Sequence, residues 1–188
     1  MFRVLILATS MLLLIGATAA EVNEGRLLER EGVWYKPRSE KPFSAINRER
    51  YANGQLQYEH TYKNGKWNGL ERWWHPNGEL WQEVTYKEGK SEGVWKLWYE
   101  DGQLRRECNY KTGKRYGLDR WWWENGQLHQ KHTYKDGKKQ GLQQSWYSNG
   151  RSSSESCVSN GKIVDIGTVS YTHLRAHETR HDLVCRLL

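Results

Sequence analysis

After residue 20 the chain has no apolar run long enough to cross a bilayer as a helix. It contains no Gly-x-Ser-x-Gly, no phosphate-binding loop and no Cys–His pairing, so no motif for nucleophilic or phosphoryl-transfer chemistry is present. Cysteine is scarce, at three, and one of these, Cys185, stands in a C-terminal tail set apart below. Charge of one sign is also lacking. Removing Arg3, Arg175, Arg180 and Arg186 from the 29 Lys and Arg, and Glu178 and Asp182 from the 22 Asp and Glu, leaves 25 against 20, a body charge of +5. Both signs are interspersed, and a nucleic-acid footprint needs a basic stripe rather than such a total, so no nucleic-acid partner is expected. Phenylalanine is nearly absent, with two against eleven Trp and eleven Tyr. Amphipathic aromatics prevail where one end of a ring packs and the other stays wet, which suits a thin structure better than a deep core.

What is plentiful is glycine in strict register. Asn53-Gly54 returns as Asn77-Gly78, Asp101-Gly102, Asn125-Gly126 and Asn149-Gly150, a step of 24 residues. Gly54, Gly78, Gly102, Gly126 and Gly150 are therefore read as structural turns. A second row keeps the step, from Asn64-Gly65 through Glu88-Gly89, Thr112-Gly113 and Asp136-Gly137 to Asn160-Gly161. A third glycine follows at Gly69, Gly93, Gly117 and Gly141. Unbroken phase of this kind marks a repeat architecture rather than an ordinary globular enzyme.

The ends differ from the body. Residues 1–20 read as a signal peptide: Arg3, then the apolar Val4–Ile15, then small Ala17-Thr18-Ala19-Ala20 before Glu21. This predicts export, to the periplasm or the exterior of a bacterial cell, with no spanning segment once the signal is cleaved. Residues 21–44 form a lead-in, 45–167 the hairpin-repeat domain, and 168–188 a tail that resembles translated adapter sequence. In that tail His173, His177 and His181 fall at helical spacing near Glu178 and Asp182, but as non-native sequence they and Cys185 are expected to carry no function.

Within a period, Leu70–His75 is a short aromatic run, Pro76-Asn77-Gly78 a turn, Glu79–Tyr86 a second aromatic and β-branched run, and Lys87–Lys90 the next turn. Asn-Gly between two such runs signals a hairpin, because both central positions want positive φ. The fold class is all-β: an elongated antiparallel meander of tandem β-hairpin repeats in one single-layer sheet. Polar terminal repeats, with Arg50 at the first and Ser152, Ser154 and Ser156 at the last, suit capping. The third glycine is expected to leave bare backbone on which a cross-strand aromatic can lie.

Strand alternation then sorts the side chains. One face of the first strand carries Leu70, Val94, Leu118 and Leu142, then Trp74, Trp98, Trp122 and Trp146, with Arg72, Lys96, Arg120 and Gln144 between. One face of the second strand carries the leucines from Leu56 to Leu128 and the tyrosines from Tyr62 to Tyr134, and its other face Glu59, Glu83, Glu107, Lys131 and Glu155. The Leu/Trp and Leu/Tyr sets are assigned to the packed face, and the glutamates to a solvated column of like charges. Cys108 and Cys157 fall on opposite faces and on the order of 19 Å apart at ~4.8 Å per strand, too far for a bond, so both are read as idle thiols.

Trp74, Trp98, Trp122 and Trp146 with Arg72, Lys96 and Arg120 are the candidate binding residues, since aromatics interleaved with cations stack on sugars or hold a partner's side chains. The same columns also serve simply to pack the sheet. Lysines at 63 and 66, 87 and 90, 111 and 114, 135 and 138 form a positive rim that suits either solubility or an anionic envelope polymer. His129 and His132 point to opposite faces and cannot chelate together, so no metal and no cofactor are expected.

The unit Tyr-Lys-x-Gly-Lys-x-x-Gly-Leu-x-x-x-Trp-x-x-Asn-Gly-x-Leu, as from Tyr62 to Leu80, resembles the MORN-repeat variant family and, more closely, YwqK-type antitoxin components of bacterial toxin–antitoxin modules. Leu27–Lys36 and Lys41–Ala45 look like their lead-in, although Ala45 stands where the pattern has Gly. The resemblance implies a hairpin-repeat sheet with no catalytic residues, acting by binding a protein partner, a toxin among the candidates. The alternative is a cell-envelope glycan- or anionic-polymer-binding module.

Overall fold

The computed structural model describes residues 27–164 and Cys185. The segments read as a signal peptide and, but for Cys185, as a non-native tail lie outside the described residues. Residues 46–164 form one 13-stranded antiparallel sheet in which strands follow one another in chain order. A small hairpin of Leu28–Arg30 and Val33–Tyr35 stands before it. The long strands Leu56–Lys63, Lys66–Trp74, Leu80–Lys87, Gly93–Trp98, Leu104–Lys111, Lys114–Trp122 and Leu128–Lys135 make the centre of the array.

The two rows of turns are built differently. At Asn64-Gly65, Glu88-Gly89, Thr112-Gly113, Asp136-Gly137 and Asn160-Gly161 both residues have positive φ, the geometry of a two-residue type I′ hairpin. At the Asn53-Gly54 row only the glycine is left-handed, against the expectation for both positions. There the Gly78 N–H donates to His75 O at 2.9 Å and the His75 N–H donates to Glu79 O at 2.8 Å, closing a three-residue loop. The asparagine serves through its side chain: Asn77 Oδ1 accepts the Glu79 N–H, and Nδ2 donates to Glu100 O in the next repeat, both at 2.9 Å.

That loop carries a β-bulge, and the bulge corrects the assignment of faces. Trp73 lies opposite Gln82, but Trp74 lies opposite Leu80, so Trp81 is passed over. The same skip recurs at Gln57, Arg105, His129 and Ser153. Period-two counting therefore fails across each bulge. Leu80 shares a face with Trp74, Arg72 and Glu83, while Tyr86 shares the other with Glu71, Trp73 and Val84. The glutamates stand on the Trp/Arg face, not opposite to it. The packed face is also the other one: Tyr62, Val84, Cys108, Asp119 and Gln143 are buried there.

The third glycine has a different reason from the one expected. A Cβ at Gly93, Gly117 or Gly141 would meet nothing within 4 Å, and at Gly69 it would meet Thr61 rather than a ring. All four have positive φ, which side-chain-bearing residues rarely adopt. The amino-terminal end is covered by the lead-in. Leu27 and Phe43 are buried with Tyr62, against Trp34, Ala45 and Trp67. Cys108 is a free buried thiol, but Cys157 is not idle: it is disulfide-bonded to Cys185. Distance excludes Cys108 as its partner, but Cys185 lies in the tail, outside the repeat spacing on which that distance rests.

Candidate functional site

The Trp/Arg face is a cross-strand ionic ladder. Register places Arg48, Glu59, Arg72, Glu83, Lys96, Glu107 and Arg120 side by side on consecutive strands. Arg48 Nε lies 2.7 Å from Glu59 Oε2, Arg72 Nε 2.9 Å from Glu83 Oε2, and Arg120 Nη2 3.0 Å from Glu107 Oε1. The glutamates are thus interleaved with cations rather than stacked as like charges. At the next strand the alternation fails, because Lys131 stands opposite Arg120 and then faces Gln144. Gln144 Nε2 donates to Glu155 Oε1 at 2.8 Å.

Beside this ladder run Trp74, Trp98, Trp122 and Trp146, one per repeat and each partly exposed. All seven candidate binding residues therefore share one face, as expected, and Arg120 lies 5.9 Å from the Trp122 ring centre. Aromatic side chains at the adjoining turns tie repeat to repeat through the backbone of this column. Tyr51 Oη donates to Trp74 O and Tyr99 Oη to Trp122 O, both at 2.8 Å, and Trp123 Nε1 donates to Trp146 O at 3.2 Å.

The opposite face holds a cluster that strand counting did not single out. Arg106 donates from Nε to Asp119 Oδ1 at 3.0 Å and from Nη2 to Oδ2 at 2.7 Å. Its guanidinium lies 4.7 Å from the Trp95 ring centre and 4.2 Å from that of Trp121. Asp119 is 1% exposed. The adjacent Cys108 thiol is pushed up to about 12 by burial, which leaves it protonated and inert. One signal could have revealed this site: Arg106 and Asp119 are charged where the neighbouring repeat has Gln82 and Trp95.

Two periods earlier, the same places are held by other residues. Tyr58 replaces Arg106, His60 replaces Cys108, Glu71 replaces Asp119, and Asn47 replaces Trp95, while Trp73 matches Trp121. Glu71 Oε1 accepts Trp73 Nε1–H at 2.7 Å and Gln82 Nε2–H at 3.4 Å, but Oε2 accepts nothing. Burial raises the Glu71 carboxyl above its ordinary range and lowers His60 to about 4. A cavity of about 1110 Å³ opens between this face and the lead-in, with Trp34, Tyr58, His60, Tyr62, Trp67 and Trp73 among its walls.

At the type I′ edge the eight lysines of the expected rim are all exposed. Lys63 stands directly opposite Lys66, Lys87 opposite Lys90, Lys111 opposite Lys114 and Lys135 opposite Lys138. His129 stacks on Trp123 at 3.8 Å, whereas His132 stands opposite Asp119. Among the described residues no three His, Cys, Asp or Glu converge as a metal site would require.

Such a fold, a succession of hairpins of one period with its chemistry spread along a face, defines a tandem β-hairpin repeat module. Residues 46–64, 67–88, 91–112 and 115–136 each match the MORN repeat variant, so the repeat array of this chain belongs to that family. None of the curated proteins compared with the chain is significantly similar to it.

Proposed function

We propose that this chain is an exported, non-enzymatic binding module that engages a protein partner through its Trp/ionic ladder face, in the manner of YwqK-type antitoxin components. The observation that carries this reading is the ladder. Alternating charges across consecutive strands, flanked by a partly exposed tryptophan column, present shape and charge complementarity but no poised nucleophile or acid–base pair. Residues 1–20 read as an export signal, and on that reading the partner is met outside the cytoplasm and a toxin bound there is a secreted one.

The test pairs the purified protein with the product of the gene beside its own, the position a cognate toxin occupies. A complex is expected for the parent chain and its loss for Trp98→Ala/Trp122→Ala. A complex that survives the double substitution removes the reading, as does a search that finds no specific protein partner.

A second reading rests on the other edge. Four pairs of exposed lysines, each directly opposed across a turn, suit an anionic envelope polymer rather than a folded protein. Retention on teichoic acid that disappears with Lys87→Gln/Lys111→Gln and with added salt supports it. Retention on peptidoglycan that persists in high salt and needs Trp98 and Trp122 points instead to sugar stacking.

A further inference from the structure

The chain carries two versions of one site, and one version has its ligand built in. At the Arg106 site a carboxylate and flanking indoles clasp a guanidinium from the same sheet, with two short bonds to Asp119 and ring contacts to Trp95 and Trp121. At the Glu71 site the carboxylate and one indole are kept, as Glu71 and Trp73, but the internal guanidinium is gone, because Tyr58 stands in its place. The Glu71 side chain is only 8% exposed, and its Oε2 has no hydrogen-bond partner. His60 Nε2, which lies 3.8 Å from Glu71 Oε1, is also without one. Two unpartnered buried polar atoms side by side, a carboxylate oxygen and an imidazole nitrogen, call for an occupant rich in donors, since a buried polar group is costly to leave unmet.

We infer that the cavity under the lead-in receives an arginine side chain of the protein partner, whose guanidinium passes the His60 wall to reach Glu71 next to it and closes on that carboxylate as Arg106 closes on Asp119. The inference rests on the protein-binding reading and adds an anchor on the opposite face of the sheet, at the first-strand edge where Arg48 of the ladder also lines the cavity. A planar guanidinium satisfies a carboxylate through two parallel donors and stacks on indole faces, which an ammonium does less well. Replacement of Trp95 by the smaller Asn47 opens the site on the lead-in side. The His60 ring, stacked on Tyr58 at 4.5 Å, lines the cavity and lies 3.8 Å from Glu71 Oε1, so it is the group the proposal requires to turn aside. At the rim Glu29 and Glu49 favour a cation, while Arg48 is engaged by Glu59 and Arg50 by Gly54 O.

The experiment titrates the full chain with blocked tripeptides Gly-Arg-Gly, Gly-citrulline-Gly and Gly-Lys-Gly. Binding is followed by calorimetry and by the indole N–H resonance of Trp73, which bonds to Glu71. Saturable binding of the arginine peptide is expected, with the neutral citrulline isostere at least tenfold weaker and the lysine peptide between them. Glu71→Gln is expected to weaken the arginine peptide at least tenfold. Tyr58→Arg supplies an internal guanidinium, so it is expected to abolish peptide binding and to raise the melting temperature. Should Glu71→Gln fail to fold by near-ultraviolet dichroism, Tyr58→Arg and the citrulline comparison decide. Equal binding of arginine and citrulline peptides, undiminished binding by either variant, or no shift of the Trp73 resonance overturns the inference. The control is Trp98→Ala/Trp122→Ala. It is expected to keep peptide binding while losing the partner, so failure here is distinct from failure of the ladder reading.

Discussion

Arg72–Glu83 and Arg106–Asp119 join the same functional groups on opposite faces of one sheet, with closest contacts of 2.9 Å and 2.7 Å. What separates them is water. The first pair keeps 38% and 30% of its side-chain exposure, the second 8% and 2%. An exposed pair gains little, because solvent screens the attraction and both side chains lose freedom. A buried pair has already lost its hydration, so each partner depends on the other. Geometry alone therefore does not rank these contacts. The ladder is suited to recognition, where charges are exchanged with a partner at small cost, and the buried cluster is suited to holding neighbouring hairpins together.

The largest test of that contrast is Asp119→Ala. It strands the Arg106 guanidinium between two indoles, and the expected loss is about 3–5 kcal/mol in chemical denaturation. A loss below that of a ladder substitution would break the contrast between the faces.

Next in size is the pH response of the buried face. His60 has a folded value of about 4 against an ordinary 6.5. Above 6.5 the ring is neutral in both states and has no effect. As pH falls from 6.5 to 4 the unfolded chain takes up a proton that the folded one refuses, and stability falls by about 3 kcal/mol. Glu71, raised by burial, acts with the opposite sign, since the folded state binds its proton first as pH drops toward the ordinary carboxylate value. His60→Val, which copies the residue at Val84, is expected to remove the acid loss and uncover that opposite slope. Melting temperatures from pH 7 to pH 4 check it.

Smaller still are changes on the ladder. Glu107→Ala is expected to cost about 0.2–1 kcal/mol and to cost less in high salt. Lys131→Glu restores the alternation broken between Arg120 and Gln144, and the expected gain is of that same order, about 0.2–1 kcal/mol. Thermal melts at low and high salt distinguish both from the salt-insensitive effect of Asp119→Ala.

Much of the fold was legible before any coordinates. Glycine spacing placed both rows of turns, and Trp74, Trp98, Trp122 and Trp146 came out on one face with Arg72, Lys96 and Arg120. Alternation misled where the backbone broke it. Trp81 is skipped in pairing, so Leu80 and Tyr86 part company, and Glu83 joins Arg72. A bulge adds one residue without any strong mark of its own in the sequence. The Arg106 and Glu71 sites stayed hidden for a different reason: they are departures from the repeat, so the periodicity that marks the turns carries no sign of them.

The order of residues along the chain determined that hairpins of one length follow one another, because turn chemistry and strand propensity act over a few neighbouring positions. Which face is dry, and which carboxylate owns a guanidinium, was decided only when strands came together. Those outcomes depend on register and on exclusion of water between residues far apart in the chain, and neither quantity exists until the sheet does.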